Sequence, residues 1–178
     1  MKTVSVINQK GGVGKSTTAE MLVSALSLKG FKVLAIDLDA QGNLSYSLAA
    51  DLNSPTILEV LTEEISVKDA IKKARADVIS SNKALAGADA FIADTGKEYR
   101  LKEALEKIAK NYDFCIIDTP PARDNLTMSA LFCADEVLIP VRCDNFSLEG
   151  FETTLAMILD LETREDVKID ILGVVLTQ

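Results

Sequence analysis

Residues Gln9-Lys10-Gly11-Gly12-Val13-Gly14-Lys15-Ser16-Thr17-Thr18 constrain this chain more than any other stretch. They follow a short apolar run, Val4-Ser5-Val6-Ile7, and lead into a helical pattern beginning near Ser16. A strand, a glycine-rich turn and a helix N-terminus in that order form a phosphate cradle. Small residues let consecutive backbone N–H groups converge on an anion, and the helix dipole adds to the attraction. The spacing places Gly11, Gly12, Val13, Gly14, Lys15, Ser16 and Thr17 around the phosphates. The Lys15 ammonium would reach the β- and γ-phosphates, and the Ser16 hydroxyl would sit on Mg²⁺.

The rest of the chain alternates strand and helix patterns. Thr18 to Lys29 carries an apolar stripe (Met21, Leu22, Ala25, Leu26, Leu28), and Gly30 ends it as a C-cap. Phe31 to Leu38 reads as a buried strand running into Asp37 and Asp39. Thr56 and Glu59 form a capping-box pattern for a short helix through Leu61. Ser66 to Ala74 reads as another helix, with Val67, Ala70 and Ile71 on one face, and Asp77 to Ser80 as a short strand. One or two helical turns are expected at Ala84 to Ala88, and a helix over Glu98 to Lys110. Phe114 to Asp118 is an apolar strand stopped by Thr119-Pro120-Pro121. A helix near Leu126 to Phe132, a strand at Glu136 to Val141, a long helix capped by Ser147, and a strand at Ile169 to Leu176 complete the pattern. Apolar strands alternating with amphipathic helices predict one α/β domain, a parallel twisted sheet with helices on both faces.

In such sheets ligands sit beyond the carboxyl ends of the strands. The loop at Lys10 to Ser16, the Asp37/Asp39 pair and Asp118 all fall at such ends. Asp118, after four apolar residues, has the form of an aspartate that binds Mg²⁺ directly or through water.

Composition removes other chemistries. The chain has 178 residues and no histidine, which excludes a Ser-His-Asp triad, a Cys-His pair and histidine-ligated metal. Cys115, Cys133 and Cys143 lack the close pairing of zinc or redox motifs, and Cys115 reads as a small core residue. The net charge of −8 argues against a broadly basic nucleic-acid-binding surface, although a local patch would escape that argument. Neither a bilayer-length apolar run nor signal-peptide architecture is present, so a cytoplasmic protein is expected.

The loop departs from the ordinary phosphate-binding pattern, which asks for Gly where this chain has Gln9, and it carries a second lysine, Lys10. Lys-Gly-Gly-x-Gly-Lys-[Ser/Thr] resembles the deviant Walker A branch of the P-loop NTPases. That branch contains the ParA and Soj partition proteins, MinD and the nitrogenase iron protein. Its first lysine crosses a dimer interface to the partner's nucleotide, and the resemblance implies the same for Lys10. Asp37-Leu38-Asp39-Ala40-Gln41-Gly42-Asn43 is similar to the Asp-x-Asp-Pro-Gln-Gly-Asn segment of the ParA group, with Ala40 in place of proline. Asp39 would then position the attacking water and Asp37 would support it, through a hydrogen bond to the cradle. Gln9, the Tyr112 to Pro121 switch segment and Ser147-Leu148-Glu149-Gly150 also resemble ParA, whereas Arg123-Asp124-Asn125 departs from it.

The resemblance implies ATP and Mg²⁺ as cofactors, with Lys10, Lys15 and Asp39 catalytic, and Ser16 and Asp118 on the metal. It implies slow ATP hydrolysis coupled to a homodimer, a ParB-like activator, DNA binding without sequence preference, and a cytoplasmic, nucleoid-associated location. Family members continue past the strand ending at Gln178 with further helices, the main adenine-contacting segment and much of the DNA surface. A nucleotide-binding adaptor with negligible turnover and a MinD-like membrane-cycling ATPase are the alternatives. Lys72-Lys73-x-Arg75, the densest basic cluster, reads as the solvated face of an amphipathic helix, so no DNA-contacting residue is assigned.

Overall fold

The computed structural model describes residues 1–53, 55–88, 96–165 and 167–178. Its first unit is strand β1 (Lys2–Val6), helix α1 (Lys15–Leu28) and strand β2 (Val33–Asp37). Short helices α2 (Asn43–Ser47) and α3 (Ile57–Leu61) follow, then strands β3 (Ile71–Lys73) and β4 (Asp77–Ile79). Beyond them come α4 (Arg100–Glu106), β5 (Phe114–Asp118), α5 (Asn125–Cys133), β6 (Glu136–Arg142), α6 (Asn145–Glu165) and β7 (Asp170–Thr177).

Among the described residues seven strands form one sheet in the order β3-β4-β2-β5-β1-β6-β7. Every pairing is parallel except β3 against β4. The central strands are nearly continuous apolar runs because both of their faces are covered. Val33 and Ala35 of β2 pack with Val4, Val6, Ala19 and Val23 under α1, whereas Leu34 and Ile36 enter the core on the other side with Cys115, Ile117, Leu101 and Leu105. A third apolar cluster joins β6 to α5 and α6 through Val137, Ile139, Leu131, Met157 and Ile158.

This layering puts the carboxyl ends of β1, β2 and β5 side by side. Val6 stands in register with Asp118, and Asp37 with Asp118 on the other flank. The expected parallel sheet is present, Cys115 is fully buried in it, and the Thr56–Glu59 capping box starts α3.

Three local expectations change. Ser66 to Ala74 is not a helix: a turn leads into β3, which pairs antiparallel with β4. Val67, Ala70 and Ile71 have helical spacing, but over so short a stretch the strand partner decides the outcome. Lys72, Lys73 and Arg75 therefore lie on and beside an edge strand rather than on a helical face. The segment near residues 98–110 divides into 3₁₀ turns at Lys97–Tyr99 and Ala109–Asn111 flanking α4. Helix α6 begins at Asn145, so Ser147 lies inside its first turn rather than at its start. The stretch from Ala84 is a 3₁₀ turn, Lys83–Gly87, and residues 89–95 lie outside the described ones.

Candidate functional site

The cradle is built as a strand-to-helix turn. Gly12 and Gly14 take φ of +72° and +86°, a left-handed backbone that a side chain would strain. Gly14 is the N-cap of α1 and supplies no side-chain cap, and no acidic residue occupies the first turn. The first-turn N–H groups are thus left for an external anion. The loop opens onto a cleft of about 480 Å³ lined by Gly11, Gly12, Gly14, Lys15, Ser16 and Thr17, with Asp39, Asn43, Tyr46, Ser47 and Pro121 opposite. Val13 is buried beneath it.

Lys15 is buried, and its Nζ donates to the carbonyl of Lys10 at 3.0 Å. Burial lowers its affinity for a proton, against the pull of Asp118 and Asp39. A partly desolvated ammonium at the mouth of a polar cleft gains strongly from a phosphate counter-charge.

Asp118 ends β5, fully buried, and no hydrogen bond of ordinary geometry reaches either carboxylate oxygen from the described residues, although Ser16 and Lys15 lie near enough to favour its charged form. Burial and then the neighbouring Asp37 push its pKa up to about 7, with Ser16 and Lys15 pulling the other way. A buried carboxylate without such hydrogen bonds is costly, and a cation beside it removes that cost. Ser16 and Asp118 fit a magnesium ion on this ground. No three Asp, Glu, Cys or His side chains among the described residues are placed to hold a metal ion together, so most of the cation's oxygen ligands would come from phosphate and water.

Asp37 is also fully buried, and its hydrogen bonds among the described residues go to the loop after β2 rather than to the cradle: Oδ1 accepts from the Asp39 N–H at 3.1 Å, and Oδ2 accepts from the Ser45 N–H and hydroxyl at 2.8 and 2.7 Å. Burial raises its pKa to about 6 despite these donors. Both ends of the Asp39 loop are thereby tied to one carboxylate. Asp39 is half-buried, its Oδ1 accepts from the Gln41 N–H at 2.9 Å, and it lines the cleft opposite the glycines.

Lys10 stands at the rim, away from the cradle floor. Its Nζ meets Asp144 Oδ1 at 2.8 Å, and Arg142 approaches the other Asp144 oxygen at 3.6 Å. Its backbone N–H donates to the buried Asn8 side chain. Thr177, at the end of β7, donates to the Val13 carbonyl at 2.9 Å and packs 3.4 Å from where a Gly14 Cβ would stand. Asn8, Ser45, Asp144 and Thr177 thus support the residues of the site although sequence reasoning gave them no role. For Asn8, Asp144 and Thr177, position at or just past a strand's carboxyl end was the available signal. Lys72, Lys73 and Arg75 are committed elsewhere: Lys72 to the Asp51 and Asn53 carbonyls, Lys73 to Asp77, and Arg75 to the Ser47 carbonyl.

A family model described as an AAA domain matches residues 1–171. The chain is 39% identical to the sporulation initiation inhibitor protein Soj of Bacillus subtilis (strain 168), covering 99% of this chain and 72% of Soj. It is 38% identical to the chromosome partitioning protein ParA of Caulobacter vibrioides, covering 99% and 69% of the two chains. Among solved structures, cobyrinic acid a,c-diamide synthase from Mycobacterium smegmatis with bound ATP analog and magnesium superposes with a TM-score of 0.93 at 34% identity, over 99% of this chain and 74% of that one. A near-full-length match to Soj and ParA, on a sheet whose strand ends gather a deviant phosphate loop and two buried aspartates, means that this chain belongs to the ParA/Soj partition-protein family of P-loop proteins.

Proposed function

We propose that this protein is an ATP-dependent dimerisation switch with slow Mg²⁺-dependent hydrolysis, acting in plasmid or chromosome partition. The observation that carries the reading is the buried Asp118 carboxylate beside Ser16 at a helix N-terminus without a side-chain cap, groups that suit a cation and an anion side by side. ATP with magnesium supplies both, and a structural neighbour holds an ATP analog and magnesium.

The loop N–H groups from Gly12 to Thr17 would receive the phosphates, and Lys15 would exchange the Lys10 carbonyl for them. Ser16 and Asp118 would hold magnesium, which when bound neutralises charge on the phosphate oxygens. Asp39, its loop fixed by Asp37, would orient water for in-line attack on the γ-phosphorus. Lys10 would leave Asp144 and reach the nucleotide of a second copy, adding positive charge where the transition state spreads negative charge. A ParB-like protein would stimulate hydrolysis, and the ATP-bound pair would bind DNA without sequence preference. No helix among the described residues is long and apolar enough to cross a membrane.

Single-turnover hydrolysis and light scattering with Mg-ATP test the scheme. Asp39→Ala is expected to bind ATP and pair but release no phosphate, whereas Lys10→Ala binds ATP without pairing. Absence of magnesium-dependent ATP uptake by calorimetry would sink the reading.

A further inference from the structure

Lys10 is held from below by a packed contact between the phosphate loop and the second turn of α6. Asn8 is fully buried, its Nδ2 donates to the Pro140 carbonyl at 2.8 Å, and its Oδ1 accepts from the Lys10 N–H at 2.8 Å. Gly150 of α6 lies directly against this arrangement. A Cβ at Gly150 would stand 2.9 Å from Asn8 Oδ1 and 3.0 Å from Lys10 Cβ. Neither neighbour can swing away cheaply, because the Asn8 carboxamide is bonded at both ends and Lys10 Cβ is fixed to the main chain. One turn further along α6, the Thr154 hydroxyl donates to the Gly150 carbonyl at 2.8 Å and accepts from the Gln9 N–H at 3.3 Å.

We propose that Asn8 and Gly150 are positioning residues for Lys10: together they form a seat that fixes the direction in which its side chain leaves the loop and crosses to a second copy. This rests on the cross-subunit reading of Lys10 given above. A long ammonium side chain meets a nucleotide in another subunit only if its root is fixed, because small errors in Cα–Cβ direction grow along four methylenes. The absence of a side chain at Gly150 is a close-approach requirement, since its backbone is helical and needs no left-handed angle. The seat lies at the root of Lys10, and neither Asn8 nor Gly150 lines the cleft that would take the phosphates. Its loss should therefore spare nucleotide capture by one subunit and harm what requires two.

The test compares Gly150→Ala, Lys10→Ala and their double variant in the full chain, by affinity for a fluorescent ATP analogue, ATP-linked pairing and single-turnover phosphate release. Gly150→Ala is expected to keep analogue affinity within about twofold of the parent. Pairing and phosphate release should fall at least about tenfold, to the Lys10→Ala level, and the double variant should be no worse than Lys10→Ala alone. Asn8→Asp, which keeps the acceptor for the Lys10 N–H but turns an oxygen toward the Pro140 carbonyl, gives the same comparison from the other side of the contact and decides the matter if Gly150→Ala does not fold. A folded Gly150→Ala that pairs and hydrolyses like the parent while Lys10→Ala does neither overturns the seat and leaves the Lys10 reading standing. Parent-like pairing by Lys10→Ala overturns the reading beneath it.

Discussion

At the scale of single residues the site is organised by carboxylates that the fold leaves in unlike situations. Asp37 is buried with three donors, whereas Asp118 is buried with no hydrogen bond of ordinary geometry from the described residues. Stability and function therefore pull in opposite directions at Asp118. Asp118→Asn removes a buried charge that Ser16 and Lys15 offset only in part, and we expect the nucleotide-free protein to gain about 1–3 kcal/mol, a rise of some 2–10 °C in melting temperature, with loss of magnesium-dependent tightening of ATP. Calorimetric melting with and without Mg-ATP checks both halves; a destabilised apo variant would show that Asp118 has a partner in solution. Ser45→Ala removes the hydroxyl that bonds Asp37 and accepts from the Ser81 N–H at 3.0 Å. It should leave ATP affinity within about twofold while slowing phosphate release at least about tenfold, since only the Asp39 loop is loosened. A quenched single-turnover series reads that split. That Lys15, Ser16, Asp39 and Asp118 come together at the strand ends was legible in the chain because each occupies a fixed place in a local strand-turn-helix or strand-end pattern. Ser45, Asn8 and Gly150 were not, because they act through contacts made only when distant strands close the sheet.

At the scale of elements, local chemistry was readable wherever it was self-contained. The Thr56–Glu59 box needs no tertiary partner: Glu59 accepts from both the Thr56 N–H and its hydroxyl, at 2.7 and 2.8 Å. The fold then adds a tie, from the Ile57 N–H to the Ser80 carbonyl at the end of β4, that carries α3 onto the sheet. Thr56→Ala should cost about 1–2 kcal/mol of stability by breaking the cap of a buried helix start, with ATP affinity unchanged. A lower urea midpoint at constant slope is the expected signature, and an unchanged midpoint would mean that α3 is held by packing alone. The stretch from Ser66 to Ala74 shows the converse. Its apolar spacing suits a helix, but the Ala74 N–H donates to the Ala76 carbonyl, closing a turn between β3 and β4, and Lys73 pairs with Asp77 across that hairpin. A three-residue edge strand carries too little pattern to announce itself, and its partner fixes it.

Across the whole sheet, the described residues present two edges of opposite character. Its parallel architecture and the gathering of strand ends were legible from alternating apolar runs, but strand order was not, because nothing local in β7 distinguishes an edge from a centre. The β3 edge is three residues long and carries Lys72 and Lys73, features that discourage another chain from adding a strand. The β7 edge is eight residues long, with Ile171, Leu172, Val174 and Leu176 exposed, the last at 71%. Where no further chain covers it, a strand of this length with apolar side chains favours association of copies of these 178 residues without nucleotide. Such pairing is chemically unlike the ATP-linked pairing proposed for Lys10 and should be separable from it. Leu172→Lys with Leu176→Lys puts charge on that strand and should raise by about tenfold, or more, the concentration at which scattering mass departs from the 19.2 kDa monomer in the absence of ATP. The same pair of changes lies outside the phosphate cleft and should leave Mg-ATP uptake at the parent level. If the lysine variant associates at the parent's concentration, β7 is not the adhesive edge; if it also loses ATP uptake, the strand supports the loop through Thr177 more strongly than one hydroxyl contact implies.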